Sequence, residues 1–495
     1  MIKNQSFTFL SRSNNKNLEK GFFLIFILFL AIFKLFFHEL WKDEWQAWLV
    51  ATDTDSLKDL FALLPNEGHP SLWYLLMRSV SYIFNFILPD IPDVMLLQSL
   101  HLLLAGLGFY VFFICFKINI WLKAGLALSY FLFFEYGILN RGYVLVILFA
   151  FISAVLAEKP TENYKKLAIF LFLLTQTEVY GVFMAGAFVF YILWDLLEKK
   201  KQTQVKWLPF TIISASVLVG GLLFAYILMP GSQQEQAITF HQVNETNPDK
   251  FLESLQAILV NSFWPGIVPT IHTEVSFTGV LLSMFVLAGI FITFRSQRKI
   301  LFTYGFFLLL LWLFTFLIYV GYTRQWGMQL VFFISLLNLY VINSEKKRFQ
   351  LPGLIFIIIT VLFQLVHNGR IIIKEKNFLF SNSIEAGKFI RRKIPENLPV
   401  IGINKAYCTP VIGYSERKFY SLPEGTTFSY FKWKEKMYIP SIQDIALFRF
   451  SKSVSGVFVI SYKPLSLQNY PGLQVVKFFD KPSIRQENYY LYRYP

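Results

Sequence analysis

The chain has 495 residues, of which 55% are hydrophobic and 19% aromatic. This apolar share exceeds that of ordinary soluble domains, and most of it lies in unbroken runs of roughly 17–25 residues, long enough to cross about 30 Å of hydrocarbon. The net charge of +15 comes from short basic clusters between these runs, a placement that indicates membrane topology and excludes nucleic-acid binding. Two cysteines, Cys115 and Cys408, exclude a disulfide framework.

Length and hydropathy predict a polytopic α-helical membrane protein with about eleven spans. The spans are predicted at residues 21–37, 95–116, 119–135, 142–157, 166–178, 179–197, 207–229, 276–294, 300–320, 325–343 and 351–368. The first run is not followed by the small-residue cleavage site of a signal peptide, so we interpret it as a retained span. Polar residues at 175–178 indicate two short helices that meet at a turn.

Basic residues cluster in alternate loops, which predicts the orientation of the chain. The basic loops lie at 16–20, 117–123, 159–166, 199–206, 295–299 and 346–348. The basic loops fall on one side of the membrane only if the run 71–88 does not cross it. We therefore predict an interfacial helix at 71–88, with Arg78 reaching toward the polar headgroups. These charges place the chain in the cytoplasmic membrane, with its N-terminus cytoplasmic and its C-terminal region extracytoplasmic.

The first outer loop, residues 38–74, is unusually rich in acids and tryptophans. Asp43 and Glu44 stand among Trp41, Trp45 and Trp48, in a segment predicted to be a short helix. Adjacent helical residues point about 100° apart, so the two acids are expected to have different roles. A helix with a capping pair is predicted to begin at residue 56, and a turn at 65–70 leads into the interfacial helix.

A second outer loop, at 230–275, contains a predicted amphipathic helix at 249–263, after a polar stretch at 231–247 that we expect to close over a site. From about residue 371 the long apolar runs stop. A helix at 383–392 and strands at 399–403, 454–461, 473–479 and 489–492 are predicted there. We therefore expect a membrane domain at 1–369 and a small α/β domain at 370–495. The latter has no nucleotide or metal motif and is interpreted as a lid or acceptor-docking module.

The membrane part resembles the GT-C superfamily of polytopic glycosyltransferases. It is most similar to the bacterial branch related to protein O-mannosyltransferases and to the transferases that add aminoarabinose to lipid A. Three stretches carry the resemblance: WKDEW at 41–45, EGHPSLWYLL at 67–76 and YGILNRGY at 136–143. The chain departs from the pattern at Ser71, where a second proline is frequent, and around Gln98, where an arginine is common.

The resemblance implies an inverting transferase that moves a sugar, a mannose-like hexose or a pentose, from a polyprenyl-phosphate donor at the outer face. The acceptor is a hydroxyl or phosphate on a lipid, polysaccharide or protein. The family's base is the aspartate of the Asp-Glu pair, which corresponds to Asp43, with Glu44 as its support. A base close to the acceptor hydroxyl, and cations close to the departing phosphate, are what such a reaction needs.

Other polar residues of the outer loops are further candidates for the site. His69, Arg141 and Arg324 are predicted to bind the donor phosphate or sugar, because Arg pairs well with phosphate oxygens. Glu67, Glu178 and Trp45 are predicted to support the site or contact the acceptor. No cofactor is required, although a divalent cation held by Asp43, Glu44 and Glu67 stays open.

The corresponding alternatives are structural. His69 would then cap a helix, Arg141 and Arg324 would anchor the topology, and the tryptophans would be interfacial anchors.

Two other functions compete with sugar transfer. A transporter or flippase of lipid-linked sugars would place charges deep within several spans, whereas most charges here sit at span ends. A non-catalytic envelope protein with a partner-binding outer domain would tolerate the loss of Asp43.

Overall fold

The structure is a computed structural model that describes residues 16–88, 90–200, 207–229, 248–267, 276–319, 321–343, 350–433, 435 and 437–495. These ranges contain nineteen α-helices, two π-helical segments and six short strands. All six strands lie in the C-terminal region, where the last two helices alternate with them. The polar stretch at 231–247, which we expected to close over a site, lies outside the described residues.

The first apolar helix is followed by three helices that form the predicted outer loop. These are α1 (Lys16–Phe36), α2 (Lys42–Asp53), α3 (Leu57–Glu67) and α4 (Ser71–Ile87). The predicted cap of α3 is present: the Ser56 hydroxyl accepts the Asp59 backbone N–H at 3.1 Å. Gly68 ends α3 with a φ of 71°, a left-handed conformation that glycine adopts without steric cost.

The remaining membrane part is a bundle of helices. They are α5 (Asp93–Tyr110), α6 (Ile120–Ala127), α7 (Tyr143–Leu156), α8 (Tyr164–Thr175), α9 (Val179–Lys200), α10 (Trp207–Leu228), α11 (Pro248–Phe263), α12 (Phe277–Phe294), α13 (Arg298–Leu317), α14 (Thr323–Trp326), α15 (Met328–Asn343) and α16 (Leu351–Asn377). The π-helical segments are Val111–Cys115, which continues α5, and Tyr130–Ile138. The predicted turn between α8 and α9 and the predicted helix at 249–263 are both present.

Seven helices among the described residues are long and apolar enough to cross a membrane, which confirms a multi-pass membrane protein. They correspond to seven of the eleven predicted spans. The other four fall on shorter or more charged segments: α1 has charged residues near both ends, the run at 119–135 is broken between α6 and a π-helical segment, and α7 and α8 have 14 and 12 residues. Among the described residues, seven of the eleven predicted spans are therefore long apolar helices, and the other four are shorter, more charged or interrupted.

Helix α4, predicted to lie in the interface, has 17 residues and is not among the seven. Arg78, which we predicted to reach toward the headgroups, has partners within the protein. Its guanidinium donates to the Ala51 carbonyl at 3.0 Å and to the Thr54 hydroxyl at 2.7 Å, at the end of α2. Arg78 therefore joins α4 to α2.

The C-terminal region is a small α/β unit, as predicted, although α16 extends past the expected boundary at residue 370. Its elements are α17 (Ser383–Lys393), β1 (Val400–Ile403), α18 (Lys405–Ser415), β2 (Phe419–Ser421), β3 (Thr426–Phe428), α19 (Ile442–Ser451), β4 (Val457–Ser461), β5 (Gln474–Phe479) and β6 (Tyr489–Tyr494). The strand order is β3-β2-β1-β4-β6-β5, with β1 parallel to β2 and β4 and the other pairs antiparallel.

The α/β unit packs directly on helix α2, in the loop that follows α1. Gly413 of α18 approaches the Trp45 ring so closely that a β-carbon there would lie 2.2 Å from it. The Tyr414 hydroxyl donates to the Leu40 carbonyl at 3.1 Å. Apolar residues of both parts share one buried cluster, so the α/β unit covers the loop that carries the candidate acids.

Candidate active site

Asp43 lies in the first turn of α2 and faces two arginines. Its Oδ2 is 2.9 Å from Nη1 of Arg141 and 3.2 Å from Nη2 of Arg324, and its side chain is 17% exposed. Burial alone would raise the pKa of this carboxyl, but the two guanidinium charges outweigh burial and lower the pKa of Asp43 to about 2. Asp43 is therefore an ionised, partly accessible carboxylate held between two cations.

Separate elements of the bundle position the two arginines. Arg141 follows the π-helical segment that ends at residue 138, and such segments are frequent at functional sites. Arg324 lies in the single turn α14, between the long helices α13 and α15. The Tyr136 hydroxyl donates to the Arg324 carbonyl at 2.6 Å and so joins the two segments. The arginines thus approach Asp43 from two separate turns that this hydrogen bond connects.

Glu44 points the other way, into the protein, and is fully buried. Its carboxylate accepts the backbone and side-chain N–H groups of Asn140 at 2.6 and 2.7 Å and the Trp41 backbone N–H at 3.1 Å. The His38 ring lies 3.1 Å away. Burial would raise the pKa of Glu44, but His38 and these donors hold it below its ordinary value. Glu44 therefore caps α2 and ties it to the turn that carries Arg141.

His38 connects Glu44 to the last membrane helix. Its Nδ1 is 2.6 Å from Oε1 of Glu375, in the C-terminal part of α16. Burial lowers the pKa of an imidazole, but the carboxylates of Glu44 and Glu375 outweigh burial and raise the pKa of His38 to about 9. A charged histidine between two carboxylates therefore joins α1, α2 and α16.

His69, in the turn before α4, adds a third connection to the site. Its Nδ1 is 3.0 Å from Oε2 of Glu178, and its Nε2 is 3.4 Å from Nη2 of Arg141. Since arginine can only donate, Nε2 accepts and Nδ1–H donates to Glu178. The chain of contacts from Asp43 through Arg141 and His69 to Glu178 brings together side chains from four separate parts of the sequence.

Glu67 lies at the end of α3 and contacts the same region from the side of the α/β unit. It accepts the Gln46 amide N–H at 2.9 Å and the indole N–H of Trp433. Burial raises the pKa of Glu67. Gln46 also donates to the Phe431 carbonyl at 2.8 Å and accepts the Phe431 backbone N–H at 3.2 Å. Glu67 is thus near the arginine cluster and linked to the segment that follows β3.

Two crystal structures of ArnT from Cupriavidus metallidurans superpose on nearly the whole chain. The structure bound to undecaprenyl phosphate matches with a TM-score of 0.54 over 96% of this chain and 98% of ArnT, at 8% sequence identity. The apo structure matches with the same TM-score over 97% and 98%, at 9% identity. The chain has a GT-C-like fold. No family model and no curated protein matches it.

One candidate residue, Trp45, lies outside the candidate site. Trp45 is only 1% exposed, and its ring packs edge-on against Tyr414 with centroids 5.2 Å apart. It therefore holds the α/β unit on α2 and cannot stack on a substrate. Trp48 is fully buried as well, and the guanidinium of Arg485 lies 3.9 Å over the Trp41 ring. All three tryptophans are therefore buried inside the protein, and Trp41 and Trp45 contact the α/β unit.

Two charged residues beside the site, Lys34 and Glu375, were not among the candidates named from the sequence. Lys34 donates to the Ile138 carbonyl at 2.5 Å and lies 3.2 Å from Nδ1 of His101. Glu375 stands seven residues past the predicted end of the last span. Gln98, at the position where an arginine was expected, donates to the His38 carbonyl at 3.4 Å. A lysine inside an apolar run was the one available signal, because such a charge needs a partner.

The described residues contain no group of three or more His, Cys, Asp or Glu side chains able to hold a metal ion. Glu44 is engaged by protein donors and Glu67 accepts from Gln46 and Trp433, so the three acids named for a cation do not converge. The arrangement offers phosphate recognition by Arg141 and Arg324 and proton acceptance by Asp43.

Proposed function

We propose that this protein is an inverting glycosyltransferase. It transfers a hexose or pentose from a polyprenyl-phosphate donor to an acceptor hydroxyl at the outer face of the cytoplasmic membrane. The observation that carries the proposal is the position of Asp43 between Arg141 and Arg324, in a fold shared with an ArnT structure bound to undecaprenyl phosphate. The two guanidinium groups suit binding of the donor phosphate, and the accessible carboxylate suits acceptance of the proton from the acceptor hydroxyl.

The reaction begins when the donor phosphate binds the two guanidinium groups. Because these groups now face a second anion, Asp43 is released from them and its basicity rises. Asp43 takes the proton of the acceptor hydroxyl, whose oxygen forms a bond to the anomeric carbon. The bond from that carbon to the phosphate oxygen breaks, and the electron pair leaves with the lipid phosphate. Arg141 and Arg324 stabilise the charge that the phosphate gains.

Neighbouring residues hold these groups in place. Glu44 fixes α2 and the Arg141 turn through its buried hydrogen bonds, so we assign it a positioning role. His69 orients Arg141 and is itself held by Glu178. In this arrangement Asp43, His69 and the two arginines contact the substrate, and the rest support them.

The decisive variant is Asp43→Asn, which removes the base and also one competitor for the two arginines. Release of undecaprenyl phosphate from undecaprenyl-phosphate hexoses and pentoses should fall by about a thousandfold or more, the range of base removal. Binding of undecaprenyl phosphate itself should stay equal or become tighter. The control is Asp59→Asn, an exposed acid at the start of α3. Wild-type transfer by Asp43→Asn, or loss of both transfer and binding, would contradict the assignment.

The orientation is tested separately with impermeant thiol reagents. After Cys115 and Cys408 are replaced by alanine, Lys58→Cys should react from outside, and Lys159→Cys only after lysis. Both side chains are exposed, so reactivity reports the side of the membrane. The reverse pattern would place the site on the cytoplasmic face and would require a different donor supply.

A further inference from the structure

The α/β unit contains a cavity of about 560 Å³ that the transfer mechanism does not use. It lies beyond the carboxyl ends of the parallel strands β1 and β2, and Asn404, Lys405 and Leu422 line it. This is the edge of an open α/β sheet at which ligands bind. Its size is within the range of small-molecule sites.

The lining of the cavity combines exposed rings with charges of both signs. Trp433 is 53% exposed, and its buried side packs against Phe431 with ring centroids 4.7 Å apart. Tyr438 is also exposed in the lining. Lys405 and Glu435 form an ion pair at 2.8 Å, which offers donors and acceptors side by side. A flat aromatic face with adjacent donors and acceptors suits a saccharide ring, which presents apolar C–H groups on its faces and hydroxyl groups at its edges.

A compact polyanion suits this lining less well. Two carboxylates, Glu424 and Glu435, line the cavity together with the lysines, and one of those lysines is already paired. A free phosphate would meet these acids at close range, and like charges repel strongly where water is partly excluded.

The cavity is joined to the candidate active site by fixed contacts. Phe431 exchanges two hydrogen bonds with Gln46 of α2, and the Trp433 indole donates to Glu67 of α3. Lys42 lines the cavity and directly precedes Asp43, and consecutive α-carbons are about 3.8 Å apart. A ligand seated in the cavity therefore lies against the helix turn that carries the proposed base.

We propose that this cavity binds a saccharide portion of the acceptor, with Trp433 as its stacking platform, and so presents an acceptor hydroxyl toward Asp43. The presentation step rests on the proposed function. The binding step does not, because it requires only the α/β unit docked on α2.

The test measures equilibrium binding to the full chain in detergent by calorimetry. The probes are tetrasaccharides of glucose, mannose and N-acetylglucosamine, with inorganic phosphate and a serine- and threonine-rich decapeptide for comparison. We expect at least one tetrasaccharide to bind saturably, both to the wild type and to Asp43→Asn. Trp433→Ala should weaken this binding at least tenfold, whereas Trp433→Phe, which keeps a ring but loses the indole N–H, should weaken it less than threefold. Trp121→Ala, an exposed tryptophan of α6, is the control and should change nothing.

The outcomes separate this inference from the proposed function. Absence of tetrasaccharide binding, equal binding by Trp433→Ala, or binding of the peptide or phosphate instead would overturn the cavity assignment, even if Asp43→Asn abolishes transfer. Conversely, Trp433-dependent saccharide binding in a protein that neither binds undecaprenyl phosphate nor transfers sugar would retain the cavity and refute the transferase. An equal loss in Trp433→Phe and Trp433→Ala would show that the bond to Glu67, and not stacking, matters, and would overturn the stacking role of Trp433.

Discussion

His38 should make the stability of this protein depend on pH between about 6.5 and 9. The side chain is buried, and Glu44 and Glu375 raise its pKa from 6.5 to about 9. A folded-state pKa above the unfolded value means that the stabilisation is fully present below pH 6.5 and is lost as pH rises through 9. The shift corresponds to about 3 kcal/mol. With an unfolding entropy of about 2.1 cal/mol/K per residue, this free energy corresponds to a Tm change of about 3 °C for a chain of this length.

The assay is thermal unfolding in detergent, followed by tryptophan fluorescence from pH 6 to pH 10. Other groups near His38 also titrate, so the quantity compared is the difference between the wild type and His38→Gln. The wild type should lose about 3 °C more than the variant across this window, and His38→Gln should already be less stable at pH 6.5. Glu375→Gln should show an intermediate slope, since one of the two carboxylates remains. Identical pH slopes in wild type and His38→Gln would refute a charged His38.

Three further predictions concern packing, phosphate recognition and the acid limb. Gly413→Ala should lower the free energy of unfolding by about 1–3 kcal/mol, because its β-carbon would lie 2.2 Å from the Trp45 ring. The control Gly305→Ala has open space around it and should not lower this free energy. Equal Tm values for the two variants would contradict the contact between Gly413 and Trp45. Arg324→Lys should weaken undecaprenyl phosphate binding about tenfold, since lysine cannot form a bidentate pair, and unchanged affinity by microscale thermophoresis would exclude this role. The pKa of about 2 for Asp43 means that its ion pairs stabilise the protein above about pH 4 and that this stabilisation is lost as pH falls through 2. The stability of Asp43→Asn should therefore fall less steeply with decreasing pH than that of the wild type. Matching curves of stability against pH would count against the ion pairs.

The sequence predicted the surroundings of the site well, because local chemistry decides them. The helix that carries Asp43, the cap at Ser56 and the break at 175–178 all depend on residues near in sequence. Arg141 and His69 were named as candidates among the polar residues of the predicted outer loops, and the fold places them beside Asp43 and Glu178. The structure therefore brings these candidate residues together, as expected, and their roles in sugar transfer stay predictions.

The rest depended on packing between distant parts of the chain. In the sequence, nothing distinguishes Trp45 from an exposed interfacial tryptophan. Only the packing of α18, with Gly413 against its ring, buries it. Glu375 lies 337 positions from His38, so nothing local could pair them. The strands β2 and β3 have three residues each, too few for an alternating pattern to show. The sequence therefore predicts the elements, and tertiary contacts decide which of their side chains remain accessible.

The number of charges around Asp43 explains why two arginines are needed. In the proposed reaction, the donor phosphodiester has one negative charge and Asp43 another, and Arg141 and Arg324 balance both. When the glycosidic bond to the phosphate breaks, the phosphate gains a second negative charge while Asp43 takes a proton. The sum over these four groups is zero before and after transfer, so no net charge develops in a region of low dielectric, where it would be costly. With only one of these arginines, an anion of this group of charges would lack its compensating cation in both states.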